Sequence, residues 1–290
     1  MLYDRQNGAR QCMSLYAALG AAFGLAIDTI TGFVTAPGAV LTPWTLAAGD
    51  SLSVRNCDFT KRVRLLDMWF FNQAAGIGRV RSPKLHDNVQ GLRVRIPGNS
   101  NAFPLQPTPY PQAMYPQDQL IVEQSGSAVA GQIETGSLLM WYEDLPGVNA
   151  HLVTADEVNK RGVELENIET NHVAGVAGGY SGQVAINANF DLLKANTDYA
   201  IIGYVTDAQF ATVGWRGADT GNLRVSGPAN NLLRDITRRW FWDLASILGL
   251  PCIPVFNSAN KGGFLVDVVN NQAALSPNVN TICVELAPSK

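Results

Sequence analysis

Charged residues are scarce in this sequence. Asp, Glu, Lys and Arg make up 16% of its 290 residues, compared with about 25% in typical soluble domains. The formal net charge is −3, and the basic segments Lys61–Arg64 and Arg238–Arg239 are too short to form the positive stripe that binds nucleic acid. We therefore expect no specific nucleic-acid partner. Because neutral surface can be covered by a neighbouring subunit without desolvating ions, the low charge favours a protein that assembles.

Metal-binding and disulfide patterns are also lacking. The four cysteines are widely separated, and no CxxC pair is present, which excludes a zinc ribbon and a disulfide framework. The three histidines fall in separate polar stretches without ligand spacing. The cysteines are Cys12, Cys57, Cys252 and Cys283, and the histidines are His86, His151 and His172. We expect free, mostly buried thiols in a reducing cytoplasm, surface histidines, and no metal or other cofactor.

No apolar run is long enough to span a bilayer. The uncharged segment Cys12–Ile27 has 16 residues, whereas a transmembrane helix needs about 20. It is followed by no clear small-residue cleavage site, so a secretory signal is not expected either. We predict an N-terminal helical arm over residues 1–34, helical from about residue 9 to 27, that packs on a neighbouring copy, on a membrane surface or on its own domain.

The remaining sequence is dominated by strand patterns. Alternation of apolar and polar residues is present in Ser51–Arg55, Leu92–Ile96 and Gln183–Ala188. Apolar runs typical of strands buried on both faces are Leu65–Phe71, Ser137–Tyr142, Tyr199–Val205 and Gly263–Val269. Many short strands separated by Gly, Pro, Asn and Asp predict an all-β sandwich or barrel.

One later segment has helical spacing instead. Between Pro228 and Pro251, apolar residues recur every three or four positions. Pro228 suits the first turn of a helix, and Gly249 suits its end. We predict an inserted amphipathic helix at about 229–248, with its apolar face packed on the sheet.

The chain contains an internal repeat. Three segments recur in the same order: Leu92–Val94 as Leu223–Val225, Arg64–Arg81 as Tyr199–Arg216, and Ser137–Gly147 as Asn280–Ser289. Each match is short, but the shared order makes a duplication the best explanation. The sequence predicts two copies of one all-β unit, joined near Pro146–Thr154.

Each copy has room for about eight short strands, which is the size of a jelly roll. Two such units in tandem, an inserted helix and an apolar arm resemble the double jelly-roll major capsid proteins of icosahedral bacteriophages with an internal membrane, the adenovirus-like lineage. The resemblance rests on the order of elements over residues from about 35 to 290. It implies an N-terminal arm at 1–34, a first jelly roll at 35–150 and a second at 151–290.

The resemblance also implies a function. In that family three subunits form a pseudo-hexagonal capsomer, because six similar barrels surround a threefold axis. We therefore expect a homotrimer that contacts neighbouring capsomers and minor capsid or vertex proteins in an icosahedral virion shell. Assembly in the host cytoplasm is expected, and the arm could reach an internal viral membrane.

Asp219-Thr220-Gly221 matches the tripeptide of aspartic proteases. Those enzymes place two such carboxylates together, and in each copy apolar residues directly precede the aspartate. In this sequence Gly217 and Ala218 occupy the two positions before Asp219. The corresponding segment of the first copy, Ser82–Gly91, lacks the tripeptide. We interpret it as a turn in which Asp219 accepts from local backbone amides and Gly221 takes an unusual dihedral angle.

Gly179-Tyr180-Ser181-Gly182 lacks the last glycine of a nucleophile elbow, and we interpret it as a hinge. No catalytic, cofactor-binding or metal-binding residue is assigned, and the chain is not expected to be an enzyme.

Two alternatives remain at this point. Lectins and carbohydrate-active enzymes also use jelly rolls, and Trp141, Tyr142, Glu143 and Asp144 could supply an aromatic and acidic patch, although their alternation places Trp141 in the core. A minor virion protein, such as a vertex protein or spike base, is the other alternative.

Overall fold

The computed structural model describes residues 24–288 apart from 48–49, 58–59, 86–88, 99–100, 105–110, 149, 174, 176, 190, 230–233 and 272–275. Strands dominate, and the helices are few and short. The described strands form four sheets in which the pairing is antiparallel, as expected for the all-β class.

The strands before residue 143 form two of these sheets and are called the first unit. They are β1 (Ala26–Thr35), β2 (Thr42–Pro43), β3 (Thr45–Leu46), β4 (Val63–Asn72), β5 (Gly76–Arg81), β6 (Leu92–Ile96), β7 (Asn101–Pro104), β8 (Gln112–Met114), β9 (Ile121–Gln124) and β10 (Ile133–Tyr142). One sheet has the order β3-β1-β10-β4-β7, with β8 also on β4. The other has the order β2-β9-β5-β6.

The elements after residue 151 form the second unit. They are β11 (Leu152–Val153), α1 (Ala155–Arg161), β12 (Gly162–Asn171), β13 (Tyr180–Ala185), β14 (Asp198–Thr206), β15 (Thr212–Arg216), β16 (Val225–Pro228), α2 (Arg234–Thr237), α3 (Trp240–Leu248), β17 (Ile253–Asn257), β18 (Leu265–Val269) and β19 (Asn278–Leu286). Its sheets have the orders β11-β17-β14-β19-β12 and β13-β18-β15-β16.

The two units share one pairing scheme. In the first unit β1 pairs with β10, β2 with β9, β4 with β7 and β5 with β6. In the second unit β12 pairs with β19, β13 with β18, β14 with β17 and β15 with β16. The three repeated sequence segments therefore lie on, or directly before, strands with equivalent positions in the two units; Leu223 and Arg224 precede β16.

A β-bulge lies at the same place in each unit. In β4 the extra residue is Leu66, beside Leu139 of β10. In β14 it is Ile202, beside Ile282 of β19. Aligning the bulges makes Leu66 equivalent to Ile202 and Leu139 equivalent to Ile282. This register is one residue away from the one that the sequence repeat predicts.

The N-terminal boundary differs from the prediction. Residues 26–34, expected in the helical arm, belong to β1, which pairs with β10 over its whole length. The first sheet pair therefore begins before residue 35. Of the rest of the predicted arm, residues 1–23 lie outside the described residues. Ser51–Arg55 also differs from its predicted strand, since Ser53 forms only an isolated bridge with Gln119.

The predicted inserted helix is present from residue 234 but divided, and residues 230–233 of the predicted span lie outside the described residues. It forms α2 and α3, with a turn at Arg238–Arg239 between them, and it ends at Gly249, whose φ of 62° is left-handed and favours glycine. Pro228 lies in β16 rather than in the first helical turn. Trp240, Phe241 and Leu244 are buried, as the apolar periodicity predicts.

Two hydrophobic clusters hold the structure together. One lies between the two sheets of the first unit and includes Met68, Leu138 and Val122. The other joins the interior of the second unit to the outer face of the β1-β10-β4 sheet, including Trp69 and Trp141. The apolar runs in β4 and β10 are buried on both faces because this sheet has a core on each side.

Candidate functional site

The junction between the two units is built around Trp69 of β4. Its indole is fully buried and lies edge-on to Trp240 of α3, with 6.0 Å between ring centroids. Its Nε1 donates to Thr212 Oγ1 at 3.0 Å, and Thr212 also bonds to Ser137 of β10 at 2.7 Å. Trp69 therefore contacts the second unit through both packing and a hydrogen bond.

A second tryptophan reinforces the junction. Trp141 of β10 is buried, and its Nε1 donates to the carbonyl of Pro251 at 3.3 Å. Nearby, β16 packs against β1 and β10. The outer face of this sheet is thus covered by strand, helix and loop of the second unit.

A ring of polar contacts crosses the junction at one end. The Arg224 guanidinium lies 3.8 Å above the Tyr180 ring and 3.7 Å from Asp50 Oδ1. The Tyr180 hydroxyl bonds to Thr31 Oγ1 at 2.7 Å, and Thr31 N donates to Asp50 Oδ2 at 2.7 Å. Arg224 is anchored in its own unit by Asp267, 2.9 Å from its Nε. These contacts link Asp50 of the first unit to Arg224 of the second.

A cavity of about 430 Å³ opens beside this ring. Its lining includes Asp28, Asp50 and Arg55, and Arg55 Nε lies 2.5 Å from Asp28 Oδ2. Each carboxylate already has a cationic partner and a defined position. The arrangement is suited to holding two units together, and no cluster of three His, Cys, Asp or Glu residues suited to a metal ion occurs in the described part of the chain.

Burial changes the ionisation of these aspartates. Desolvation raises the pKa of Asp50 from 3.8 to about 7, although the Thr31 amide and Arg224 act in the opposite direction. Desolvation also raises the pKa of Asp28, against the opposing effect of Arg55. The folded state therefore holds protons that the unfolded chain releases.

We predict that Asp50 makes stability fall as pH rises. Its pKa is 3.8 in the unfolded chain and about 7 in the folded one, so deprotonation across this window favours unfolding, by up to ~1.4 kcal/mol per pH unit. The free energy of unfolding in urea should be measured at several pH values between these two pKa values, and Asp50→Asn should remove this part of its slope against pH. Asp156→Asn, an exposed control, should keep the wild-type slope. Parallel curves for wild type and Asp50→Asn would contradict the prediction.

Another buried carboxyl lies on the outer face of β4. Asp67 Oδ1 accepts from Met68 N at 2.7 Å, while Oδ2 has no hydrogen-bond partner. Burial raises the pKa of Asp67 well above its ordinary value. We interpret Asp67 as a neutral carboxylic acid packed within the junction.

The Asp219 segment forms a turn between β15 and β16, and Gly221 has a φ of 64°. Thr220 makes local hydrogen bonds with Gly217, but the contacts of Asp219 are not local, contrary to the prediction. Asp219 Oδ2 accepts from Asn257 N at 3.3 Å, and its carbonyl accepts from His151 N at 2.6 Å. The equivalent loop between β5 and β6 is the Ser82–Gly91 segment. Asp219 therefore ties this loop to β17 and to the segment joining the units.

The predicted surface position of His172 is wrong. Its ring is buried, with Nδ1 2.7 Å from the carbonyl of Gly182 and Nε2 2.9 Å from Thr170 Oγ1. Burial lowers the pKa of His172. His151 is half-buried, and His86 lies outside the described residues.

The Gly179–Gly182 motif and the cysteines lie within the packed structure. Within Gly179–Gly182, Tyr180 begins β13 and belongs to the junction. Cys57, Cys252 and Cys283 are buried, as expected, and no disulfide joins them within the described part of the chain; Cys12 lies outside the described residues.

The aromatic patch required for carbohydrate binding is not exposed. Trp141 is 1% and Tyr142 is 0% exposed, and Glu143 is paired with Arg62 at 3.2 Å. These residues cannot present rings to a sugar without opening the core.

Sequence reasoning identified neither Asp50 nor Arg224 as junction residues. Arg224 lies within the repeated Leu223–Val225 segment, and this repetition was the one sequence feature that marked it, but the repeat does not show which residue Arg224 pairs with.

The described part of the chain contains no helix with the length and apolar character needed to cross a bilayer.

Comparison with known proteins found no matching family and no matching curated protein. Solved structures with some similarity include the PBSX exported protein XepA, at 8% identity and a TM-score of 0.26, covering 90% of this chain and 87% of that one. A Macrobrachium rosenbergii nodavirus structure has 13% identity and a TM-score of 0.19, covering 91% and 98%. A Sulfolobus turreted icosahedral virus structure has 9% identity and a TM-score of 0.22, covering 91% of each chain. At such TM-scores the similarity carries no argument about function.

Proposed function

We propose that this protein is a structural capsid subunit, made of two tandem jelly rolls, that trimerises into pseudo-hexagonal capsomers of an icosahedral virion shell. In this proposal it is the major capsid protein of a membrane-containing bacteriophage. Its partners are other copies of itself, neighbouring capsomers and minor capsid or vertex proteins. Residues 1–23 would lie near the internal membrane, and assembly would take place in the host cytoplasm.

The shared pairing scheme is the observation that carries this proposal. When the short strands β3, β8 and β11 are set aside, eight strands remain in each unit. In each set the first strand pairs with the last, the second with the seventh, the third with the sixth and the fourth with the fifth. A ribbon folded over in this way into two sheets is a jelly roll, an architecture common in viral capsids. Two copies packed on a shared core suit a subunit that occupies two of six similar positions around a threefold axis.

Composition supports the same proposal. A capsid subunit is contacted on most of its lateral surface, and charged side chains there would have to be paired or desolvated. The 16% share of charged residues reduces that cost. The junction carboxylates are engaged by Arg55, Thr31 and Arg224, which suits the structural role proposed.

The mass of the purified full chain tests this proposal. Multi-angle light scattering should give three times the chain mass of 31.2 kDa, and electron micrographs of the source particle should show shells in which this chain is the most abundant protein on a gel. A protein that stays monomeric at every concentration, or that is absent from particles, would refute it. A minor band in intact particles would instead indicate a vertex or spike-base protein.

A further inference from the structure

The two units bury equivalent faces to different extents. In the first unit, the outer face of the β1-β10-β4 sheet carries Ile27, Trp69 and Leu139, which are fully buried by the second unit. In the second unit, the equivalent sheet is β12-β19-β14. The strand β1 is buried along most of its length, whereas its equivalent β12 is mostly exposed.

The bulge register identifies the equivalent residues. Since Leu139 corresponds to Ile282 and Ile27 lies two residues from the partner of Leu139 along β1, Ile27 corresponds to Leu165 of β12. Leu165 is 56% exposed. It lines an open cavity of about 610 Å³ together with Ile202, Ile282, Asp235, Arg238 and Arg239. The second unit thus leaves an exposed leucine, bordered by charged residues, at the position where the first unit is covered.

The strand that covers the first unit also has an exposed equivalent. Within the chain, β16 packs on β1 and β10, and all of its residues are buried. Its equivalent in the first unit is β6, because both strands are the fifth of eight and pair with the fourth. Among the described strands β6 is an edge, and Arg93 and Arg95 on it are exposed.

The two exposed strands carry opposite charges. β6 presents Arg93 and Arg95. On β12, Glu169 is exposed and shares a face with Leu165, because side chains alternate between the two faces of a strand. An exposed edge strand invites pairing or packing with another chain, and complementary charge selects which one.

We propose that β6 of one copy packs against β12 and the outer face of the β12-β19-β14 sheet of the next copy, repeating between chains the contact that β16 makes with β1 within a chain. The contact is heterologous, since it joins two different surfaces. It rests on the proposed trimer, in which three copies close a ring of six units. Leu165 is buried at the centre of each contact, and Arg93, Arg95 and Glu169 lie at its rim.

Surface substitutions in the full chain test this interface. Leu165→Asp should lower the molar mass in light scattering three-fold, from trimer to monomer, and Arg93→Glu with Arg95→Glu should do the same. Leu165, Arg93 and Arg95 are exposed within one chain, so the circular dichroism spectrum should stay unchanged. Val40→Asp, a control at a residue 70% exposed elsewhere, should remain trimeric.

An exchange of charges between the two surfaces tests whether the trimer can be restored. Adding Glu169→Lys to the Arg93→Glu, Arg95→Glu protein should restore the trimer, because the charges on β6 and on the Leu165 face of β12 are again complementary. A folded Leu165→Asp protein that stays trimeric would overturn the interface while leaving the capsid proposal intact. A monomeric wild-type chain would instead overturn the proposed trimer itself.

Discussion

Replacing Trp69 with alanine is expected to destabilise the protein by about 3–5 kcal/mol. The indole is fully buried between the units, and its loss removes the edge-on contact with Trp240 as well as the hydrogen bond to Thr212. The cavity cannot collapse readily, because strands of both units are fixed by their own pairing around it. Urea unfolding monitored by circular dichroism should show this loss in the transition midpoint.

Two matched variants separate the causes. Trp69→Phe keeps much of the ring volume and loses the Nε1 donor, so it should cost less than alanine. Trp242→Ala removes an indole that is only partly buried and should also cost less. Equal stability of Trp69→Ala and wild type would show that the junction contributes little to folding.

Gly203→Ala is expected to destabilise the protein by about 1–3 kcal/mol or more. A Cβ at Gly203 would lie 2.3 Å from the carbonyl carbon and 2.4 Å from the carbonyl oxygen of Arg238. These are backbone atoms of the turn between α2 and α3, so no side-chain rotation relieves the overlap. Either the turn moves away from β14 or the bulge in β14 is lost.

Gly262→Ala is the control for this substitution. A Cβ at Gly262 meets no atom within 4 Å, so its urea midpoint should stay near that of wild type. Near-ultraviolet circular dichroism of Gly203→Ala should also change, since displacement of α3 moves Trp240 away from Trp69. A Gly203→Ala protein with wild-type midpoint and spectrum would contradict the close approach of the turn.

Much of the fold could be predicted from local patterns. Apolar runs such as Leu65–Phe71 predict strands buried on both faces, and the structure gives the reason, because the β1-β10-β4 sheet has a core on each side. The amphipathic spacing before Gly249 predicts the inserted helix. The repeat predicts which strands of the two units correspond.

The register of the repeat could not be predicted. A bulge adds one residue without a distinctive side chain, and Leu66 and Ile202 are as apolar as their neighbours. Because side chains alternate between faces, a one-residue error assigns every residue after it to the wrong face. The sequence alone therefore could not show that Leu165 occupies the position of Ile27.

The junction itself was also beyond sequence reasoning. Asp50 and Arg224 are single charged residues far apart in the chain, and only the packing of the two units brings them together. His172 was placed at the surface because its neighbours are polar, yet the carbonyl of Gly182 and Thr170 satisfy its ring inside the fold. Long-range partners of this kind leave no local periodicity.

The core shared by the two units has a mechanical consequence. Gly147 lies in the segment that connects β10 to β11, and a Cβ added there would meet no atom within 4 Å. By contrast, the packed faces of the two units bury the rings of Trp69, Trp141 and Trp240. A pulling force or a proteolytic cut at Gly147 would therefore act on the covalent linker and not on the hydrophobic core that holds the two units together. The nicked polypeptide would remain one body, and its two fragments would separate only when the core itself is opened.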